Sequence, residues 1–227
     1  MTSLGKRAFV ELVATAFLLI AVVGSGIMAE RLAGGNVAIA LLANTLATGA
    51  ALVALIATFG PFSGAHMNPA VTLTAALQGM HPWPEVVPFV GAQVTGAFAG
   101  VALAHVMFDC PIFFASQHAR AGTGQLVGEL VATFGLISVV NAAARTRAPA
   151  VPIAVVVGAY ITGAYWFTSS TSFANPAVAL ARAATDTFAG IRPSDVPAFI
   201  GAELLGAAGA TALFHWIAPL GKNGEQR

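Results

Sequence analysis

The chain has 227 residues, of which 57% are hydrophobic and only 8% are charged, and its formal net charge is +1. Soluble domains carry about 25% charged residues, so the composition excludes an ordinary soluble domain and indicates a chain that folds in a bilayer. The near-neutral charge and the lack of a long basic run exclude nucleic acid as a partner. The single cysteine, Cys110, excludes an intrachain disulfide, and no residue cluster in the sequence suggests a metal site or a cofactor.

The first apolar stretch runs from about Ala8 to Met28 and follows Lys6 and Arg7. A basic start before apolar residues is typical of a signal peptide, but the apolar region of a signal peptide is only about 7–15 residues long. The stretch also has a counterpart later in the chain. It is therefore predicted to be a membrane-spanning helix.

Hydropathy predicts six spans of about 20 residues. They are 8–29, 37–59, 86–108, 124–144, 151–170 and 197–218. Residues 1–227 are therefore treated as one transmembrane domain.

Two halves of the chain repeat each other. The pentapeptide Glu-Leu-Val-Ala-Thr stands at 11–15 and again at 129–133, and the stretch 91–97 resembles the stretch 201–207. These matches indicate internal repeats at about 8–108 and 124–218. Each repeat holds three spans, and three is odd, so the second repeat crosses the membrane in the opposite sense, as an inverted repeat.

The same four letters, Asn-Pro-Ala-Val, stand at 68–71 and at 175–178, outside the six spans. Asparagine is a preferred N-cap, and proline suits the first helical turn. Each motif therefore predicts a helix start, with helices over Pro69–Gln78 and Pro176–Thr185. Ten residues make about 15 Å of helix, half of a hydrocarbon core of about 30 Å. Two such half-helices would meet at the centre of the membrane, where irregular backbone must line a cavity or be buried.

The distribution of basic residues slightly favours one orientation of the chain in the membrane. With the N-terminus inside, four basic residues fall outside or in loops that enter from outside: Arg31, Arg120, Arg182 and Arg192. Six fall inside: Lys6, Arg7, Arg145, Arg147, Lys222 and Arg227. The positive-inside rule then favours cytoplasmic N- and C-termini.

The stretch Ser63–Thr72 resembles the first signature loop of the aquaporin, or major intrinsic protein, family, and the double Asn-Pro-Ala strengthens the resemblance. The resemblance implies an all-α membrane protein with six tilted helices and two re-entrant half-helices. It also implies a pore in each protomer of a homotetramer, no enzymatic activity, and a place in a bacterial inner membrane.

The two motifs, Asn68-Pro69-Ala70 and Asn175-Pro176-Ala177, explain how such a pore would select. Each asparagine would cap its half-helix and offer an amide N–H to a passing water or alcohol. The positive ends of both helix dipoles would face each other, so cations would be repelled. The alternative is that both asparagines only cap helices.

Glu11 and Glu129 are carboxylates inside predicted spans, where acids are costly and usually functional. A proton relay would suit a secondary transporter. The resemblance implies instead that they accept hydrogen bonds from the re-entrant loops, and Gln93 and Glu203 form a second, weaker pair of this kind. His66 resembles the family's histidine at the cytoplasmic side of the pore.

The selectivity filter departs from the family pattern. Most aquaporins place an arginine directly after the second Asn-Pro-Ala, where this chain has Val178. The other filter positions, carried over by their offsets from the motifs, are Thr48, Gly163 and Ser172. All four residues are small and uncharged, which predicts a wide filter and resembles the S type of bacterial aquaglyceroporins linked to arsenic resistance.

The main prediction is thus a passive channel for water and small uncharged solutes: glycerol, urea, arsenous acid and methylated arsenicals. Three alternatives stay open at this point: an ion-coupled secondary transporter, a mainly water-conducting aquaporin, and a closed junctional protein. Arg182 lies one helical turn beyond Val178. It is expected either to guard the outer vestibule or to snorkel to lipid headgroups.

Overall fold

The computed structural model describes residues 3–146 and 149–219. These residues form eight α-helices and a short 3₁₀ turn at Pro193–Asp195, without a β-strand. The helices are α1 (Leu4–Leu32), α2 (Val37–Ser63), α3 (Pro69–Leu77), α4 (Trp83–Met107), α5 (Thr123–Arg145), α6 (Ala150–Phe167), α7 (Pro176–Arg182) and α8 (Val196–Ile217). Three basic residues used to orient the chain, Arg147, Lys222 and Arg227, lie outside the described residues.

All six predicted spans are helices. Five of them are long and apolar enough to cross a membrane. The sixth, α6, has a shorter apolar section, Val151–Phe167, and ends before the predicted boundary because Thr168 is extended. The fold is therefore that of a multi-pass membrane protein, as the sequence predicted.

The half-helices α3 and α7 begin where the motifs predict. The Asn68 side chain accepts a hydrogen bond from the Ala70 amide at 2.9 Å, and Asn175 accepts one from the Ala177 amide at 3.1 Å. A proline occupies the first turn of each helix. Because asparagine satisfies amide groups that a helix start leaves unpaired, these caps let both helices start deep inside the protein.

The second half-helix is shorter than expected. Helix α7 ends at Arg182 rather than at Thr185. The amides of Ala183 and Ala184 bond to carbonyl groups three residues earlier, which tightens the last turn and ends the helix. Its seven residues span about 11 Å, against about 14 Å for the nine residues of α3.

Glycines bring the long helices into close contact. A Cβ atom on Gly96 of α4 would collide with the carbonyl oxygen of Leu12 on α1. In the second half, a Cβ atom on Gly206 of α8 would collide with the carbonyl oxygen of Leu130 on α5. The two helix pairs thus use the same contact, since small residues let membrane helices approach closely.

Large apolar side chains cover the outer surface, and a set of polar side chains is buried within the apolar interior. Large apolar side chains such as Val87, Leu205 and Trp216 are 79%, 66% and 81% exposed. Several polar side chains are fully buried, among them Glu11, Gln93, Glu129, Glu203 and His105. This distribution suits a protein whose outer surface meets lipid, since single exposed apolar residues are common on any protein but a buried polar set is not.

Candidate functional site

The two re-entrant loops are bonded to each other at their asparagines. The Nδ2 atom of Asn68 donates to the carbonyl oxygen of Ala174 at 2.8 Å, and the Nδ2 atom of Asn175 donates to the carbonyl oxygen of Met67 at 2.7 Å. Each amide oxygen caps its own helix while each amide nitrogen bonds the opposite loop. One N–H of each amide group remains for a molecule in the adjoining cavity.

A cavity of about 260 Å³ passes these asparagines. Apolar side chains of α1, α2, α5 and α6 line one part of its wall, and the two re-entrant loops line the other. No aspartate or glutamate is among the described lining residues. The arrangement therefore combines an apolar wall with a few hydrogen-bonding groups, which is typical of sites for small solutes.

The loops that carry the asparagines adopt an unusual backbone. Before Asn68, Ala65 and Met67 have φ angles of 46° and 48°, and before Asn175, Ser172 and Ala174 have φ angles of 52° and 48°. Residues other than glycine rarely adopt such positive φ angles, which cost energy. Bonds from neighbouring side chains to these loops hold the conformation in place.

Glu11 holds the first loop. Its Oε1 atom accepts hydrogen bonds from the Ser63 hydroxyl at 2.6 Å and the His66 amide at 2.9 Å. Its Oε2 atom accepts from the Met67 amide at 2.7 Å and from Nε2 of Gln93 at 2.9 Å. Four donors fill the carboxylate, and Glu11 does not line the cavity. The geometry matches the loop-support role rather than a proton relay.

Glu129 and Glu203 hold the second loop. The two oxygens of Glu129 accept from the amides of Phe173 and Ala174 at 2.9 Å and 2.8 Å. The Oε1 atom of Glu203 accepts from the Asn175 amide at 3.0 Å. Neither carboxyl group lines the cavity. The acids of both halves thus bond backbone N–H groups that would otherwise be unsatisfied at membrane depth.

Three of the four expected filter residues, Thr48, Ser172 and Val178, line the cavity, but Gly163 does not. Gly163 lies on the exposed face of α6, and Tyr165 lines the cavity instead. The expectation for Gly163 is therefore corrected.

The correction has a simple cause in the phase of a helix. The residues of α6 that line the cavity are spaced by four, at Ile153, Val157, Ile161 and Tyr165, and residues four apart share one face. Gly163 lies midway between Ile161 and Tyr165 in the sequence and is therefore on a different face of α6. The Tyr165 hydroxyl donates to Oγ1 of Thr48 at 3.3 Å, so a hydroxylated aromatic ring stands in the cavity wall where a glycine was expected.

Arg182 does not snorkel to the surface. Its side chain is buried, with 2% of the residue exposed, and it lines the cavity. The guanidinium lies 3.3 Å from the ring centroid of Phe173, and its Nε atom donates to the carbonyl oxygen of Ala189. Arg182 is therefore a buried residue of the cavity wall, and the expectation that it snorkels to lipid headgroups is wrong.

Sequence reasoning missed the part played by Arg120. This residue lies in the connection between α4 and α5 and is 7% exposed. Its guanidinium donates to the carbonyl oxygens of Gly190, Ser170 and Phe188 and to the hydroxyl of Thr171. Arg120 therefore ties the outer loops together. No local motif marks it, because its acceptors come from distant parts of the chain.

His66 lies at the other end of the cavity. It lines the cavity, and its Nδ1 atom is 3.1 Å from the hydroxyl oxygen of Thr72. Its ring centroid is 5.2 Å from that of His81 and 5.7 Å from that of Phe89. His66 is therefore a cavity-lining residue, and its position at the cytoplasmic side stays a prediction.

Comparisons with known proteins agree with this geometry. The family model described as "Major intrinsic protein" matches residues 1–164. The chain is 54% identical to Aquaglyceroporin AqpS of Rhizobium meliloti (strain 1021), over 94% of this chain and 91% of that one. It is 32% identical to Aquaporin Z of Rhodopseudomonas palustris over 64% of this chain and 65% of that one. The X-ray structure of the aquaglyceroporin from Plasmodium falciparum superposes with a TM-score of 0.76 at 18% identity, covering 95% of this chain and 97% of that one, which shows the fold.

Proposed function

The chain belongs to the major intrinsic protein family, and from this premise we propose that it is a passive channel for water and small uncharged solutes. The proposed solutes are glycerol, urea, arsenous acid and methylated arsenicals. The observation that carries the proposal is one cavity that Asn68, Asn175 and Val178 all line, with the two asparagines bonded to the opposite loops. Members of this family are channels and not enzymes.

Val178 decides the width of the proposed filter. An arginine at this position would fill the constriction and supply fixed donors with a positive charge. Valine supplies neither, so the proposed filter has more room for solutes larger than water beside Thr48, Tyr165 and Ser172 than it would have with an arginine at 178. Hydroxyl groups of a polyol or of arsenous acid can bond these side chains, while carbon atoms or methyl groups contact the apolar wall.

The asparagines complete the passage. A solute at the midplane accepts hydrogen bonds from the free amide N–H groups of Asn68 and Asn175. These bonds replace part of its hydration. The helix starts at these residues carry partial positive charge, so a hydrated cation meets an unfavourable potential. The channel therefore passes neutral solutes down their gradients without a coupled ion.

An ion-coupled transporter needs an ionisable acid facing the pathway. Glu11 and Glu129 instead accept hydrogen bonds from backbone N–H groups, and neither residue lines the cavity. A channel restricted to water is the other candidate, and Val178 disfavours it. The proposal also includes a homotetramer in a bacterial inner membrane with both termini in the cytoplasm. The similarity to a bacterial relative and the sequence excess of inward basic residues support this part.

Proteoliposomes test the proposed function. In a glycerol or urea gradient, vesicles that contain the protein should shrink and then reswell faster than empty vesicles. A protein that passes water and fully rejects both solutes would refute the wide filter. Uptake that requires an imposed proton gradient would favour the transporter instead.

A further inference from the structure

The cavity is lined by a buried cation that has no direct carboxylate partner. Arg182 lines the cavity and is 2% exposed. No aspartate or glutamate is among the lining residues, and within the described ranges no carboxylate forms a salt bridge with Arg182. Glu129 and Glu203 act on Arg182 only at longer range. Buried charges are costly unless they are paired, so a direct partner in the cavity would stabilise this guanidinium.

The hydrogen bonds of Arg182 leave most of its donors unused. The Nε atom donates to the carbonyl oxygen of Ala189, and the Phe173 ring covers one face of the guanidinium at 3.3 Å. Within residues 3–146 and 149–219, neither Nη1 nor Nη2 of Arg182 has a hydrogen-bond acceptor. Neither atom is fully enclosed by the protein. These terminal donors are available to whatever occupies the cavity.

A second polar group nearby also lacks a partner. Ser172 is 3% exposed and lines the same cavity, and its hydroxyl has no hydrogen-bond partner among the described residues. Arg120 lies 5.0 Å from the Phe173 ring, on which Arg182 also rests. Because the donors of Arg120 are occupied by loop oxygens, it adds positive potential without competing for a ligand.

We infer that Arg182 and Ser172 form a binding site for a small planar monovalent oxyanion at the outer end of the cavity. Nitrate and short carboxylates belong to this class. The planar guanidinium presents paired N–H donors that match two oxygens of such an ion, and the Ser172 hydroxyl can donate to a third. The inferred site lies in the same cavity as the proposed solute pathway and rests on that proposal. It gives the outer end of the cavity a cation at position 182, whereas most aquaporins have their arginine at the position of Val178.

Competition by nitrate tests the site. Water flow through proteoliposomes is measured in nitrate and in gluconate, a bulkier six-carbon carboxylate, at matched ionic strength. Nitrate should slow water flow through the wild-type protein. Arg182→Gln should raise the nitrate concentration for half-inhibition by about tenfold or more, the effect of losing a charge-assisted hydrogen bond, and Ser172→Ala should raise it less.

A matched control removes a cation outside the cavity. The Arg192 side chain is 44% exposed and bonds Asp195 at 2.9 Å, so Arg192→Gln should respond to nitrate as the wild type does. If Arg182→Gln does not fold, Arg182→Lys keeps the charge without the planar fork and should still weaken inhibition. Loss of the nitrate effect in Arg192→Gln would indicate general surface charge and overturn the site.

A measurement without flux separates this inference from the proposed function. Nitrate should raise the melting temperature of the detergent-solubilised wild-type protein relative to gluconate, because a ligand stabilises the state that binds it. The difference should vanish in Arg182→Gln. An equal nitrate effect in wild type and Arg182→Gln, or no effect in either assay, refutes the oxyanion site. If the protein shows no glycerol or urea flux but its melting temperature still responds to nitrate, only the proposed solutes are refuted.

Discussion

Replacing Glu203 by glutamine tests how the second re-entrant loop is held. No N–H or hydroxyl group among the described residues donates to Oε2 of Glu203, and the carboxyl groups of Glu203 and Glu129 accept from the adjacent amides of Asn175 and Ala174. Two carboxyl groups can share a hydrogen bond only if one of them carries a proton. We therefore expect Glu203 to be neutral and to donate to Glu129.

The first half of the chain supports this expectation. Gln93 stands in the repeat where Glu203 stands in the second half, and its amide nitrogen donates to Glu11 at 2.9 Å. Glutamine at position 203 would do the same toward Glu129 while its oxygen still accepts from the Asn175 amide. Both bonds survive, so Glu203→Gln should change the free energy of unfolding by less than about 1 kcal/mol.

Leucine at the same position should behave very differently. Glu203→Leu leaves the buried Asn175 amide unsatisfied, at a cost of about 1–3 kcal/mol, and removes a hydrogen bond to a charged group, worth about 1.5–3 kcal/mol. The sum, about 2.5–6 kcal/mol, corresponds to a loss of roughly 5–24 °C in Tm for a chain of this length.

Thermal melting of the purified protein in detergent, followed by size-exclusion chromatography, measures both variants. Glu30→Gln changes an exposed glutamate on α1 and should melt like the wild type. If Glu203→Gln melts as early as Glu203→Leu, position 203 needs a charge and the shared proton is wrong.

Three further changes probe the filter, the loop supports and the inner end of the cavity. Val178→Arg should reduce glycerol and urea flux about tenfold more than water flow, the effect of roughly 1.4 kcal/mol of additional barrier; equal losses would mean a blocked pore. Glu11→Gln and Glu129→Gln should each lower Tm, at about 1.5–3 kcal/mol per weakened charge-assisted bond, while flux stays independent of a proton gradient; proton-driven uptake lost in either variant would support the transporter. Burial lowers the pKa of His81 below 6.5, although Glu85 acts to raise it, so the unfolded chain binds the proton first and Tm should fall as the pH drops below about 6.5. His81→Gln should flatten that decline, and an unchanged decline would assign it to other groups.

The sequence predicted the architecture because its signals are local. The caps at Asn68 and Asn175 and the apolar length of each span depend on neighbouring residues, so the helix starts lie where expected. The repeat and the cost of a carboxylate in a span marked Glu11 and Glu129 as functional, and the family resemblance implied their support role. Neither inference required knowledge of how distant segments pack.

The filter was harder to predict because it combines separate segments. Gly163 was placed by counting back from Asn175 across a loop, and the phase of α6 puts Tyr165 into the cavity instead. The spacing of Ile153, Val157 and Ile161 is a signal that would have found Tyr165. The burial of Arg182 depends on Phe173 and Ala189, and spacing alone does not reveal such a contact.

The exchanged bonds between Asn68 and Ala174 and between Asn175 and Met67 make each repeat a part of the other's structure. A repeat synthesised alone would hold an amide and a carbonyl group unpaired in the hydrocarbon region, and each such group costs several kcal/mol. Each half therefore supplies hydrogen-bond partners that the other half needs in its final structure. We therefore expect the first re-entrant loop to reach its final form only after the second has entered the membrane, because its asparagine finds its acceptor there.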